Sequence, residues 1–362
     1  MRVFHILPTL VYGDAVSNDA RALNVILVEM GFRSRLYVAR SIPRFEGSLA
    51  FSVDTMPQTL PDDLLIYHLS TGDALNERLI SMPGHKLIIY HNITPPEFFR
   101  PYSPAAAELT QRGYEQTKAL APYAEYCIAD SAYNASELRR MGYTCPIDVV
   151  PILIPFEDYR RTPDAAVQNQ YRDGRTNLLF VGRIAPNKRQ EDVIRAFDCY
   201  KRTYDPQARL FLVGSYTQED LYYDNLQRYC RELGVRDVIF PGHIRFEEIL
   251  AYYSVSDLFL CMSDHEGFCV PIVEAMCFDL PIVAKDTTAV GDTLGGGGIL
   301  LPDADPQMAA AAIHRLLQDS ALREQFHKAQ QRRLAEFDYD CVRKQFESSF
   351  TRFLAQIGMK RQ

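Results

Sequence analysis

Residues 266–274 read EGFCVPIVE, and the chain on either side, from Tyr253 to Ala284, decides the fold. Upstream, VSDLFLCMS holds an apolar run from Leu258 to Met262 that reads as a buried strand. A short polar turn, Ser263 to Glu266, leads to Gly267 and then Pro271. Proline suits the first turn of a helix, where its missing N–H has no intrahelical partner to lose, so a helix is expected from near Val270. Asp279 falls where that helix must turn left-handed, a conformation aspartate tolerates better than most residues. LPIVAK follows as another strand. Strand, glycine turn, helix, strand is the repeating unit of a doubly wound α/β domain.

The same turn predicts an anion site. N–H groups of Phe268, Cys269 and Val270 are expected to project from the helix start, where the helix dipole favours negative charge. Glu266 lies before the turn and Glu274 about one helical turn beyond it. Carboxylates repel phosphate, so these two should face neutral hydroxyls. A sugar and a ribose on either side of a diphosphate satisfy all three features. A plainer alternative, a capping carboxylate and a solvated helix glutamate, fits this segment alone equally well.

Composition narrows the class. The 362 residues are close to two typical domains, and 47% hydrophobic with 23% charged is ordinary for a globular chain with sizeable cores. A net charge of -7 argues against nucleic acid as partner. No apolar run approaches the roughly 18 residues of a membrane span, and MRVFHILPTL reads as a strand rather than a signal peptide. The eight cysteines are scattered without a C-x-x-C pair, which suggests buried free thiols in a reducing compartment, by default the cytoplasm.

The N-terminal half keeps the α/β alternation. RVFHILPTL is a strand expected to break at Pro8, followed by a loop with Gly13, a helix ending at Gly31, and the strand RSRLYVA. Gly13 would let backbone approach a ligand at the strand ends, though it reads equally as a turn glycine. DLLIYHLS and HKLIIYHNITPP are strands that end near His68 and His91, where ligands bind in open α/β sheets. A hydrogen-bonded structural histidine is the alternative for both, and the stronger one for His68. PIDVVPILIPF closes this half, and the polar stretch 156–175, with Pro163 and Gly174, reads as a linker.

The alternation then restarts. A strand runs to Val181, Gly182 and Arg183 mark its end, and Lys188 lies in the loop before the next helix. Two cations at a strand end suit a phosphate, with a solvated basic loop paired to Glu191 or Asp192 as the alternative. ARLFLVGS ends in Gly214, and DVIFPGHI ends in a Gly-His corner. Asp303/Asp305 and Asp338/Asp340 read as turn and cap residues rather than metal ligands.

FVGRIAPNK, FPGHI, EGFCVPIVEAM with seven residues between its two glutamates, and DLPIVA resemble, in that order, family 4 retaining glycosyltransferases of the GT-B fold. The resemblance is nearly continuous from Leu178 to about Leu317 and thinner before it, where Gly13, His91 and residues 131–138 line up. It implies two Rossmann-like doubly wound domains facing across a cleft: residues 1–155 for the acceptor and 176–338 for the nucleotide-sugar donor. The final helix, 340–362, is expected to cross back onto the N-terminal domain. By the same resemblance Arg183 and Lys188 hold the donor diphosphate, and Gly182 and Gly214 are among the substrate-binding residues. His243 and Ile244 lie beside the base, and Glu274 accepts from the ribose. Glu266, with the N–H groups from Gly267 to Val270, serves the transferred sugar. Gly13 closes on the diphosphate, and His91 stands near the sugar with Glu266 and the two cations as the catalytic group. Cys269 occupies a position where the family often has glycine, and GDA replaces an N-terminal glycine pair.

The implied reaction moves a hexose from a nucleotide-diphosphate sugar, UDP favoured and GDP-mannose second, to a saccharide or lipid-linked saccharide. No metal or other cofactor is expected. A sugar-nucleotide epimerase and a non-catalytic sugar-nucleotide binding protein of the same fold are the alternatives. A dinucleotide oxidoreductase is disfavoured because VYGDAVSN lacks G-x-G-x-x-G. Arg33, Arg35, Arg40 and Arg44, with Phe32, Leu36, Tyr37 and the loop TPPEFFRPY, suggest a surface for peripheral contact with the inner face of a membrane. An ordinary solvated basic face is the alternative there.

Overall fold

Consecutive parallel strands must be joined by crossovers long enough to hold a helix, so an alternation of this kind builds parallel sheets. The computed structural model describes residues 2–11, 14–41, 50–217 and 220–359. The chain divides into two compact units. One comprises Met1–Arg100, Pro104–Ile154 and Phe337–Gln362; the other comprises Pro101–Ser103 and Pro155–Glu336.

The first unit carries β1 (Arg2–Leu10), α1 (Ala15–Glu29), β2 (Arg33–Ser41), β3 (Phe51–Ser52), β4 (Leu64–Leu69), α2 (Ala74–Ser81) and β5 (His85–Tyr90). It continues through α3 (Pro96–Phe99), α4 (Pro104–Leu120), β6 (Tyr126–Ala129), α5 (Ala132–Arg140) and β7 (Ile147–Val149). Its seven strands lie in the order β3-β2-β1-β4-β5-β6-β7, all parallel. β1 does not stop at Pro8. It pairs with β4 only from Val3 to Ile6 but with β2 as far as Leu10, so Pro8 lies where one edge is already unpaired and a missing donor is tolerated.

The second unit carries α6 (Ala165–Tyr171), β8 (Asn177–Val181), α7 (Gln190–Thr203), β9 (Arg209–Val213), α8 (Leu221–Leu233), β10 (Val238–Gly242) and α9 (Phe246–Val255). Next come β11 (Leu258–Cys261), α10 (Val270–Cys277), β12 (Ile282–Lys285), α11 (Val290–Leu294), β13 (Ile299–Leu301), α12 (Pro306–Gln318) and α13 (Ser320–Glu336). Its six parallel strands run β10-β9-β8-β11-β12-β13, with an apolar core on each face. Among the described residues, no helix of either unit is long and apolar enough to cross a membrane.

The stretch 156–175 is structured rather than a bare linker. A 3-10 turn spans Phe156–Arg160, and α6 buries Val167 and Tyr171, one helical turn apart, with the Tyr171 and Phe211 ring centroids 4.7 Å apart. Two apolar residues in a polar run are too few to show a period. Val290 and Leu294 of α11 escape notice in the same way, inside what reads as a glycine-rich loop. The long helical run after Pro306 is broken at Asp319, whose side chain accepts the Leu322 N–H. Asp305 and Asp338 cap α12 and the last helix, and Asp303 accepts the Asp305 N–H, as turn and cap residues do.

That last helix, α14 (Tyr339–Gln356), belongs to the first unit. Phe346, Phe350, Phe353 and Leu354 enter the core beneath α1, and Phe350 meets Phe32 edge-on with centroids 5.1 Å apart. Arg343 pairs with Glu29, and Arg352 with Asp148 at 2.6 Å. Replacing a buried phenylalanine by alanine costs roughly 3–5 kcal/mol, so Phe350→Ala should lower stability by that order in urea denaturation. A change below about 1 kcal/mol would mean that α14 contributes little to this core.

Candidate functional site

In the second unit the strand ends are interlocked by backbone alone. A Cβ on Gly214 would lie 1.9 Å from the Gly182 carbonyl oxygen, so no side chain fits there. Gly182 N–H donates to Val213 O at 2.9 Å, and Ile184 N–H donates to Ser215 O at 3.1 Å. Arg183, on the crest of this crossing, is exposed and has no ion-pair partner among the described residues. Gln190 Nε2 holds its carbonyl at 3.0 Å.

The loop after Arg183 is latched to the turn after β11. Asn187 O accepts the Asp264 N–H at 2.9 Å, and Asn187 Nδ2 donates to His265 O at 3.0 Å. Lys188 Nζ lies 2.7 Å from both Glu266 carboxylate oxygens. Burial opposes charge on Lys188, but Glu266 outweighs it and holds the ammonium above the usual lysine range. Arg189 spans Glu191, Asp192 and Asp264. The two cations expected to act together are therefore in different states: Arg183 is free, and Lys188 is already engaged by the glutamate expected at the sugar.

The turn itself is pinned from α11 and the loop before it. Glu266 N–H donates to Thr288 Oγ1 at 2.9 Å, Thr287 Oγ1 donates to Asp264 O at 2.9 Å, and the Thr293 hydroxyl donates to Phe268 O. Cys269 sits at φ 76° and ψ 62°, the left-handed region, immediately before Val270 opens α10 with Pro271 in its first turn. Glycine adopts that conformation without a Cβ penalty, which is the physical reason for glycine at this position. The Cys269 side chain is buried; its sulfur, that of Cys261 and a Glu266 oxygen lie within 4.8 Å of one another. Asp279 is left-handed as expected, at φ 54°.

Glu274 is not solvated. Tyr159 and Tyr253 each donate a hydroxyl to one of its carboxylate oxygens at 2.6 Å. Burial raises its pKa, with the two tyrosine hydrogen bonds working the other way. The solvated-glutamate alternative fails here. Tyr159 lies in the stretch that reads as a linker, so no sequence period pointed to it. Asn187 lies inside FVGRIAPNK without a role of its own, Thr287 and Thr288 carry no motif, and only contacts across 20 or more residues reveal what they do. His243 is exposed at the corner after β10, and Ile244 packs on the core.

In the first unit, Gly13 lies outside the described residues. His91 is fully engaged: Asp130 Oδ2 is 2.9 Å from its Nδ1, and His68 Nδ1 is 2.9 Å from its Nε2. Its side chain is enclosed, with its ring nitrogens turned to His68 and Asp130 rather than to the surface where the sugar contact is expected. His68 is a structural histidine as well, with Nε2 3.2 Å from His5 Nδ1. The membrane-facing reading also loses its apolar part. Phe32, Leu36, Tyr37 and Phe99 point into the core, and Arg40 pairs with Asp73 at 2.8 Å. Arg44 lies outside the described residues.

Residues 163–333 match the family described as "Glycosyl transferases group 1". Glycogen synthase of Mycobacterium tuberculosis (strain CDC 1551 / Oshkosh) is 31% identical over 188 residues, 51% of this chain and 44% of that protein. O-antigen chain mannosyltransferase B of Escherichia coli is 26% identical over 147 residues, 40% of this chain and 38% of its own length. The chain thus spans less than half the length of these curated relatives. Among solved structures, sucrose-phosphate synthase from Thermosynechococcus elongatus superposes with a TM-score of 0.76 at 19% identity, over 98% of this chain and 99% of that one. HepE of Anabaena, solved with UDP-glucose, gives 0.74 at 17% identity over 97% and 100%. These full-length likenesses show the GT-B fold.

Two expectations follow from the site's geometry. At Cys269, a branched Cβ adds strain in the left-handed region, so Cys269→Val should destabilise by clearly more than Cys269→Gly, as thermal melts would register. Glu274 holds its proton longer in the folded protein than in the unfolded chain. Its stabilising contribution is complete below the ordinary value of 4.5 and is lost as pH rises through the raised folded value. Glu274→Gln should flatten that part of the stability curve, measured by urea denaturation across pH.

Proposed function

Residues 163–333 of this chain match the group 1 glycosyl transferases, and from that premise we propose that the chain moves a hexose from a nucleotide-diphosphate sugar to a saccharide or lipid-linked saccharide. Transfer proceeds with retention at the anomeric carbon and without metal at the phosphates. The observation that carries this reading is the Lys188–Glu266 pair at the N-terminal end of α10, with the half-buried Glu274 on the same helix. An arriving diphosphate competes with Glu266 for Lys188, which releases the carboxylate to accept from hydroxyls of the sugar. Ribose hydroxyls replace those of Tyr159 and Tyr253 on Glu274. One helix start thus exchanges internal partners for donor groups while each polar group keeps a hydrogen-bond partner.

As the bond from anomeric carbon to phosphate oxygen breaks, negative charge grows on the diphosphate. Arg183, Lys188 and the first N–H groups of α10 meet it already in place, which is where preorganised electrostatics accelerates a reaction. Glu266 is a ligand of Lys188 and of the sugar in this scheme, not a nucleophile. His243 and Ile244 flank the base. His91 is left out of the chemistry because its side chain is enclosed beside Asp130 and His68.

UDP is favoured as the base, supported by HepE having been solved with UDP-glucose. GDP-mannose stands second, supported by the GDP-mannose-dependent alpha-mannosyltransferase of Mycolicibacterium smegmatis, 31% identical over 116 residues, 32% of this chain and 26% of that protein. Calorimetric titration with UDP and GDP, first without metal and then with magnesium, tests the reading. One nucleotide should bind without metal, and Glu274→Ala should weaken it by about 10- to 100-fold, the equivalent of roughly 1.5–3 kcal/mol for hydrogen bonds to a charged group. Arg183→Ala should melt like the parent and lose about 100- to 1000-fold in turnover. Equal binding in the Glu274 variant would remove the donor site from α10. Turnover that needs no acceptor would point to the epimerase.

A further inference from the structure

A buried cluster of histidines and aspartates lies in the interior of the first unit, apart from the residues given a role in the proposed reaction. His5 is on β1, His68 on β4, His91 just past β5 and Asp130 just past β6, four neighbouring strands. They share the parity of Val3, Ile66, Ile89 and Ile128, which pack beneath α1 and α14, so all four point to one face. Asp19 reaches the same place from α1 and accepts the Leu153 N–H at 2.9 Å. His5 and His68 are 0% exposed, Asp19 and Asp130 3%, and His91 9%.

We propose that Asp19, His68 and His91 bind a divalent transition-metal ion of the zinc class, with Asp130 and His5 orienting the two imidazoles. One oxygen of Asp19 and one ring nitrogen of each histidine lie within 4.8 Å of one another, so bonds of about 2.0–2.2 Å to a common centre need only small side-chain shifts. Two imidazoles and a carboxylate are the borderline donor set that this ion class takes, and they leave a fourth position open. The outer partners are those such sites need. His91 Nδ1–H donates to Asp130, fixing Nε2 as the ligand atom, and in the proposed site His68 takes the tautomer whose Nε2–H faces His5 Nδ1, 3.2 Å away, which leaves Nδ1 for the ion. His91 Nε2 and His68 Nδ1, 2.9 Å apart, then both turn lone pairs to the ion instead of sharing a proton.

Charge balance favours the same occupant. When Asp19 and Asp130 are both ionised, a dication matches their two buried negative charges. The ion joins α1 to β4 and to the end of β5, fastening a helix to its sheet. It does not touch the donor phosphates of the proposed reaction, so this site stands or falls independently of that reading.

The test uses the full chain after chelator treatment, titrated with Zn2+ by calorimetry and with Co2+ by visible absorption. One ion per chain should bind, with cobalt bands that lack thiolate charge transfer and a rise in melting temperature on loading. Asp19→Asn keeps the side-chain shape and should lower affinity at least about 10-fold, as should the outer variant Asp130→Asn. The double variant Cys261→Ser/Cys269→Ser, which removes the other buried cluster of possible ligands, should bind as the parent does. No binding of either ion, or binding lost in the cysteine variant and kept in Asp19→Asn, overturns the proposal.

Discussion

Lys188 and Glu266 are each taken out of bulk water, and neither could be left there alone. A buried charge whose partner is removed costs several kcal/mol, so the pair fixes the two loops that carry it. The loop from Arg183 to Gln190 and the turn from Ser263 to Cys269 are held together by this contact and by Asn187 between them. The left-handed Cys269, the start of α10 and the placement of Glu274 all follow from where that turn is pinned. Threonines 287, 288 and 293 complete the support from the far side. A site built this way is rigid before any ligand arrives.

Much of this was legible in the sequence, for definite reasons. Proline at 271 and the apolar run before it mark the helix start and the strand because both signals are local in the chain. Asp279 is left-handed for the same local reason. The alternation of short apolar runs and amphipathic segments forces parallel sheets in both units. The glutamate spacing places two carboxylates on one turn and helix, and the structure puts them there. What the sequence hid lies in contacts without period. Tyr159 donates to Glu274 across more than a hundred residues, and α6 and α11 each bury only two apolar side chains. The neutralisation of Lys188 by Glu266 was equally invisible, since each residue reads correctly alone and only the fold makes them partners.

The histidines show the opposite failure. A histidine at a parallel strand end is a reasonable ligand candidate, yet His91 is consumed by Asp130 and His68. The period of two along each strand sends His5 and His68 to the same buried face, but nothing in one strand reports its neighbour's register. The basic strand β2 misleads similarly: its arginines suggest a surface, while Phe32, Leu36 and Tyr37 beside them belong to the core.

The second unit is inserted in the sequence of the first. The first unit needs α14, which follows all of the second unit along the chain. Domains generally fold as units while the chain is being made, N-terminal first. Here the order must invert. The donor-type unit can close as soon as Glu336 has left the ribosome, while the first unit waits with the apolar groove for Phe346, Phe350 and Phe353 uncovered. A nascent chain of this protein therefore spends the translation of about 180 residues with one face of its earliest-made sheet uncovered, exposed to chaperones and to wrong partners.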